Sequence, residues 1–505
     1  MSLRRNVIAN YLGQGWVAMM QLAFVPLYIR FLGIEAYGLI GVFAMLQAWM
    51  TLLDMGMTPT LGREMARFSA GLHSAPGIRD LLRTVECLCL AVVVAVILAM
   101  FGASRWLASN WFQAVALPEP AVANALALMG GVASLRLIEG LYRGALLGLQ
   151  KQVFFNVFNS VVATLRAVGA VGVLAWVSPT IEAFFAWQAL VSLIAAIGLA
   201  LVTNRALPHA GRSAVFSRAA LLDMRRFAGG MIATTLLALL LTQVDKVLLS
   251  RLLSLQDFGH YALASTVASA LTLLVTPVTQ AFYPRFTELA ASGKTPELAL
   301  LYHRGAQLVT VLCAPPALIM TCLSGPLLLA WTGDAALSSQ VAPLLTLLAM
   351  GTFLNALVHI PYMLQLAHGW PGFAAWMNVI AVLLLVPAIL WLVPRHGAQG
   401  AAWAWVVLNA GYVLIGLPFM YRRLLPAERR DWYVKDVAIP LLAAATVTAP
   451  FVLLLREPMS APVTWGAMLA CGGLSLLVAV SAAHRLRDGL LTVWPFTIAR
   501  RTSNP

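Results

Sequence analysis

Long apolar runs alternate with short polar or Pro/Gly-containing segments along all 505 residues of the chain. Each run approaches or exceeds the roughly 20 residues that a helix needs to cross a bilayer core. Fourteen such runs are read, at 7–29, 37–60, 84–103, 122–146, 156–177, 183–203, 228–250, 258–283, 304–331, 341–366, 371–393, 398–421, 437–455 and 463–483. Segments such as His368-Gly369-Trp370-Pro371 and Arg395-His396-Gly397 punctuate them. A backbone in lipid must satisfy its own hydrogen bonds, so the runs predict helices. The expected fold class is all-α: a polytopic membrane protein of about 14 transmembrane helices. The basic start Arg4-Arg5 precedes an apolar stretch that reaches Ile29 with no small-residue cleavage site after it. It reads as the first span and not as a removable signal peptide.

Composition agrees. Hydrophobic residues make up 61% of the chain and charged residues only 10%, where a soluble domain carries roughly 25% charged. The five cysteines, Cys87, Cys89, Cys313, Cys322 and Cys471, lie in or beside apolar runs without metal-site spacing, and the eight histidines form no metal motif. Neither a metal nor another cofactor is implied. No loop is long enough for a soluble catalytic domain, so an enzyme is not expected.

The net charge of +14 is topological. With the N-terminus in the cytoplasm, the inner segments carry 25 of the 33 Lys and Arg residues and the outer ones 5, with Arg136, Arg166 and Lys246 left in the bilayer. That asymmetry follows the positive-inside rule and puts both termini in the cytoplasm. Anionic inner-leaflet lipids are the expected nonspecific partners, and nucleic acid is not.

An internal repeat divides the spans. Arg30, Leu32, Tyr37 and Gly38 after the first span recur as Arg251, Leu253, Phe258 and Gly259 after the seventh, at an offset of 221. Pro59 and Pro284 follow at the ends of spans 2 and 8. Six spans separate the copies, so the repeats run in the same direction through the membrane. The expected organisation is an N-lobe over 1–203 (helices 1–6), a cytoplasmic linker at 204–227, and a C-lobe over 228–421 (helices 7–12). Helices 13 and 14 and a cytoplasmic tail occupy 422–505. Transporters of this plan bind cargo between lobes and alternate access.

Ionisable residues are costly in a bilayer and mark function. Arg136, Glu139 and Arg143 share a face of helix 4, and Asn156, Asn159 and Arg166 share one of helix 5. With Asp54 and with Gln14 and Gln21 they predict a polar interior in the first lobe. Arg136 and Glu139 either neutralise each other or face cargo, and Asp54 either pairs with Arg166 or titrates. Asp245 and Lys246 are adjacent, about 100° apart on a helix, and need not pair. His359 with Asn355 is a second candidate proton site. The core counts neutral, three charges against three. Asp54, Glu139 and Asp245 are the candidates for ion coupling. Gly13, Gly15 and Pro26 make helix 1 the candidate hinge or gate.

The chain resembles the bacterial oligosaccharide and polysaccharide flippases, the O-antigen and exopolysaccharide repeat-unit translocases of the multidrug/oligosaccharidyl-lipid/polysaccharide (MOP) exporter superfamily. The residues that carry the likeness are Pro26 to Gly33, Tyr37-Gly38, Leu53-Asp54-Met55-Gly56, Arg63-Glu64-Met65-Ala66, Tyr142 to Lys151, Gln243 to Lys246 and Gly259-His260-Tyr261. It spans about residues 1–430. The resemblance implies two six-helix bundles in a V and an undecaprenyl-diphosphate-linked oligosaccharide as cargo. The cargo would pass from the cytoplasmic to the periplasmic leaflet of the bacterial inner membrane, coupled to an H+ or Na+ gradient. Arg136, Arg166 and Arg30 would meet the diphosphate and acidic sugars, with Glu139 and Asn159 beside them. Other polysaccharide-assembly proteins are implied partners. The alternatives are a lipid II-type peptidoglycan-precursor flippase, a cation-coupled multidrug exporter of the same superfamily, and a polysaccharide polymerase or ligase. The short outer loops disfavour the last.

Overall fold

A computed structural model of the chain describes residues 3–208, 211–457 and 459–493. The side chains of residues 3–9, 11, 219–234 and 489–493 are outside that description. The side chains of Arg4 and Arg5 and the tail beyond residue 493 therefore lie outside that description.

Apolar periodicity without β-forming alternation gives helices throughout, and no strand occurs among the described residues. They are α1 Leu3–Ala23, α2 Val25–Leu53, α3 Met57–Ser69, α4 Ala75–Asn110, α5 Glu119–Gly148, α6 Gln152–Trp176, α7 Ile181–Ala206, α8 Arg218–Leu252 and α9 Leu255–Ala291. They continue as α10 Thr295–Cys322, α11 Ser324–Thr332, α12 Ala335–Ala367, α13 Pro371–Gly411, α14 Leu417–Arg423, α15 Arg429–Asp431, α16 Ile439–Leu454, α17 Ala461–Ala482 and α18 His484–Val493. Eleven helical segments among the described residues are long and apolar enough to cross a membrane. One of them, Pro371–Arg423, has 53 residues, length for two crossings. It bends at Gly397, whose φ of +57° only glycine adopts readily. The exposed side chains include Leu98, Phe101, Leu469 and Leu477, the apolar surface expected of helices facing lipid and not water.

Two expected spans, 7–29 and 37–60, are interrupted for local reasons. The run 7–29 breaks at Phe24, between α1 and α2. Pro26 sits in the first turn of α2, where it has no N–H to continue the preceding helix. Gly13 and Gly15 lie inside unbroken α1, so the break falls at the proline alone. Gly33, at φ +82°, divides α2 into two helical stretches. The run 37–60 breaks at Asp54-Met55-Gly56, where Met55 and Gly56 are both left-handed.

The chain forms two compact units, Met1–Ala262 and Leu263–Pro505. In the first, α5 is central and packs on α3, α4 and α7, while α1 lies along α6. The two copies of the repeated turn meet inside this unit. A Cβ on Gly38 would come within 2.5 Å of the Leu255 carbonyl oxygen, and one on Gly259 would strike the Ile34 carbonyl oxygen. Positions 34 and 255 differ by 221, as do 38 and 259, so the contact is reciprocal. Only glycine permits the backbones to touch there. In the second unit α10 packs against α12, α16, α17 and α18. Its core gathers Phe286, Tyr302, Tyr421 and Trp432, each essentially inaccessible.

Candidate functional site

The polar stripes of α5 and α6 converge within the first unit. A cleft of about 520 Å³ is lined by Gln47, Asp54, Thr58, Arg136, Glu139, Arg143, Asn159 and Arg166 among apolar neighbours that include Met50, Phe155 and Phe158. Glycine packing places α5 there. A Cβ on Gly144 would approach the Thr58 carbonyl oxygen to 2.6 Å, so α3 and α5 touch backbone to backbone beside the cleft. This accounts for the Tyr142-Arg143-Gly144 segment: the glycine faces α3, and Arg143 lines the cleft with its guanidinium 5.6 Å from the Phe155 ring.

Glu139 does not pair with Arg136. Arg166 Nη2 donates to Glu139 Oε1 at 2.5 Å and to Ser192 Oγ at 3.0 Å. Arg136 donates to Gln47 Oε1 at 2.5 Å and to Gln188 Oε1 at 3.1 Å. Its guanidinium lies 4.9 Å from the Phe43 ring centroid, a cation–π contact. It makes no ion pair among the described residues. The Nε atoms of both Arg136 and Arg166 are buried without a hydrogen-bond acceptor. One turn of helix is 3.6 residues, so Arg136 and Glu139 share a face, yet each is drawn toward a different neighbour: Arg136 toward α2 and α7, Glu139 toward α6.

Asp54 is committed to the backbone. Its Oδ1 accepts from Thr58 Oγ1 at 2.6 Å, and both carboxylate oxygens accept from the Thr58 N–H at 3.2 Å. A carboxylate at the first turn of α3 satisfies unpaired N–H groups and meets the positive end of the helix dipole. It pairs with no arginine among the described residues, although it remains on the cleft wall. The cleft lining holds three arginines and two carboxylates, a formal charge of +1. A sequence tally of the bilayer core is neutral because it leaves out Arg143; Lys246 and Asp245, which it includes, cancel.

The other candidates fall elsewhere. Arg30 is exposed and outside the cleft lining. Asp245 and Lys246 do pair, at 3.3 Å, because Lys246 curls back to donate to the Thr242 carbonyl at 3.0 Å. Tyr261 OH also donates to Asp245 Oδ2, at 2.8 Å. His359 Nδ1 lies 3.0 Å from the Asn355 carbonyl oxygen within its own helix. Gly13 is a packing residue: a Cβ there would come within 3.0 Å of Asn156, whose amide Nδ2 donates to Asn10 Oδ1. Gly15 has open space beside it.

Sequence reading missed the groups that hold Arg136. Gln47 and Gln188 are single amides in apolar runs, and only their convergence on one guanidinium shows what they do. It also missed a polar cluster in the second unit. His303, fully inaccessible, contacts Asp436 Oδ2 through Nδ1 and Glu428 Oε2 through Nε2 at 2.9 Å, while Gln307 Nε2 donates to Asp436 Oδ1 at 3.0 Å. The i, i+4 spacing of His303 and Gln307 was the available signal.

A bundle of membrane-length helices around a polar, arginine-bearing cleft defines a multi-pass membrane transporter. Residues 3–290 match the family described as Polysaccharide biosynthesis protein, and residues 231–391 match MatE. The chain belongs to the polysaccharide biosynthesis family, within the MOP exporter superfamily. It is 21% identical over 434 residues to a Shigella flexneri protein assigned to O-antigen transport, covering 84% of this chain and 99% of that one. It is 28% identical over 210 residues to the succinoglycan biosynthesis transport protein ExoT of Rhizobium meliloti, covering 39% and 42%. Its fold is like that of the lipid II flippase MurJ in an inward closed conformation, with a TM-score of 0.70 at 12% identity over 96% of this chain and 99% of that one. An inward-facing MATE-family multidrug transporter is also similar, with a TM-score of 0.65 at 12% identity over 81% and 95%.

Proposed function

We propose that the protein is a flippase of the bacterial inner membrane. It moves undecaprenyl-diphosphate-linked oligosaccharide repeat units from the cytoplasmic to the periplasmic leaflet for surface polysaccharide synthesis. The observation that carries this reading is the arginine cleft in the first unit. Arg136, Arg143 and Arg166 face Asp54 and Glu139, leaving a net positive site for an anion. Unpaired arginines kept in a membrane interior need a reason, and a diphosphate or acidic sugar supplies one. Arg136 is pre-oriented by Gln47 and Gln188 and has no carboxylate partner among the described residues, so it is the first group to meet the cargo. The relatives named for O-antigen and succinoglycan transport support the substrate class. Cargo movement proceeds by alternating access coupled to an H+ or Na+ gradient, with both termini cytoplasmic, the N-lobe at 1–203 and the C-lobe at 228–421.

The fold likeness to a lipid II flippase over 96% of the chain favours a second reading, a peptidoglycan-precursor flippase. Both cargoes carry a polyprenyl diphosphate, so an anion site in the cleft is compatible with either reading. Gene deletion separates the two readings. Loss of surface polysaccharide with accumulation of lipid-linked repeat units is the expected result. Cell lysis with intact polysaccharide would move the protein to the second reading. Intact polysaccharide, no accumulation and no lysis, in a strain without a second flippase, would refute both.

A further inference from the structure

The cleft holds three arginines, yet one of them is already occupied. Arg166 is paired through a single nitrogen, Nη2, with Glu139 Oε1 at 2.5 Å. One-point pairing lacks the two parallel bonds that make an arginine fork hard to open. Ser192 Oγ accepts from the same nitrogen at 3.0 Å, so the guanidinium keeps an anchor when the carboxylate leaves. Arg166 Nε is buried without an acceptor, which leaves it hydrogen-bonding capacity that Glu139 does not use.

Among the three acidic candidates, only Glu139 is placed to exchange. Asp54 is tied to the Thr58 N–H and hydroxyl at the start of α3. Asp245 is held between Tyr261 and Lys246 and does not line the cleft. The groups that line the cleft with Glu139 are Arg166 and Asn159 from α6, Arg136 and Arg143 from α5 itself, Asp54 beside α3 and Gln47 from α2. From α7, Ser192 shares Arg166. No second cation in this set is paired with a carboxylate.

We propose that Glu139 is the resident counter-ion of the cleft, occupying Arg166 while no cargo is bound and yielding it to an anionic group of the cargo. An empty cleft with Arg166 unpaired would carry one more positive charge through the transport cycle, at a cost that Glu139 removes. A bound anion supplies the same compensation, so carboxylate and cargo use Arg166 in turn. The inference rests on the reading of this cleft as an anion site. The anionic group is a diphosphate or a sugar carboxylate, which present the same charged oxygens to the guanidinium.

The full chain in lipid nanodiscs tests this by calorimetric titration with pyrophosphate and, separately, glucuronate. Glu139→Gln should bind the relevant probe about tenfold more tightly than the wild type, and Glu139→Asp, one methylene shorter, should fall between. In cells, Glu139→Gln should lower net polysaccharide export despite tighter binding, which a merely structural residue would not do. Tightening with pyrophosphate alone identifies the diphosphate, and with glucuronate alone the acidic sugar. Unchanged or weaker binding of both probes by Glu139→Gln overturns the proposal and leaves the anion site standing. If that variant does not fold, unchanged affinity in Glu139→Asp overturns it. Failure of the wild type to bind either probe overturns the proposal and the anion-site reading together.

Discussion

Replacing Arg136 by alanine removes the one cleft arginine that is held by two neutral side chains and paired with no acid among the described residues. Its contacts are two charge-assisted hydrogen bonds, to Gln47 and Gln188, and the face of Phe43. Losing those bonds destabilises the fold, but removing a buried cation that lacks a counter-charge offsets much of the loss. The net effect on stability should stay within about 2 kcal/mol, so the variant should still accumulate in the membrane. A charged hydrogen bond to a bound anion is worth roughly 1.5–3 kcal/mol. Pyrophosphate affinity should therefore drop roughly ten- to hundredfold, and export should drop with it. Arg136→Lys keeps the charge but cannot span both glutamines while lying over Phe43, and should be intermediate. The assays are titration of the protein in nanodiscs and surface polysaccharide of a complemented deletion strain, normalised to membrane protein. Wild-type affinity and export in Arg136→Ala would refute the role of this residue.

Two further outcomes are expected outside the cleft. His303→Ala should lower the thermal unfolding midpoint markedly, because inaccessible Asp436 keeps, among the described residues, only Gln307 as a side-chain hydrogen-bond partner, a loss of about 3–5 kcal/mol for a broken buried pair; an unchanged midpoint in detergent would contradict this. Burial works to raise the Glu64 carboxyl, but hydrogen bonds from His73 and Arg63 and the charges of Arg63 and Arg67 outweigh it and hold the group below its ordinary value of 4.5. Its stabilisation is then complete above that value and is lost as pH falls through the lowered one. A melting series from neutral to acid pH should show a smaller acid loss in Glu64→Gln than in the wild type, and equal slopes would count against the pairing.

The family motifs were legible in the chain as spaced residues, but their work was not. Asp54 in Leu53-Asp54-Met55-Gly56 looks like a titratable acid within a span, whereas the left-handed backbone of Met55 and Gly56 turns it onto the α3 N-terminus. Glu35 in the repeated turn looks like a loop acid, yet its carboxylate accepts from the N–H groups of Val115 and Ala116 at 2.6 and 2.7 Å. In both cases the partner is a backbone amide, which carries no mark in the side-chain sequence.

Helix content, membrane residence, the stripes on α5 and α6, and the repeat at an offset of 221 are all determined by the sequence alone. Each rests on periodicity or length, and these are local properties of a chain that must satisfy its own hydrogen bonds in lipid. Tertiary structure decided which charges meet. Helical spacing puts Arg136 and Glu139 on one face, but the partner of each is set by the helix that packs opposite: α6 brings Arg166 to Glu139, and α2 and α7 bring glutamines to Arg136. The packing that brings those helices close also brought Arg143 onto the cleft wall and made its charge positive. Electrostatic pairing depends on distance through space, and spacing along one helix leaves that distance open.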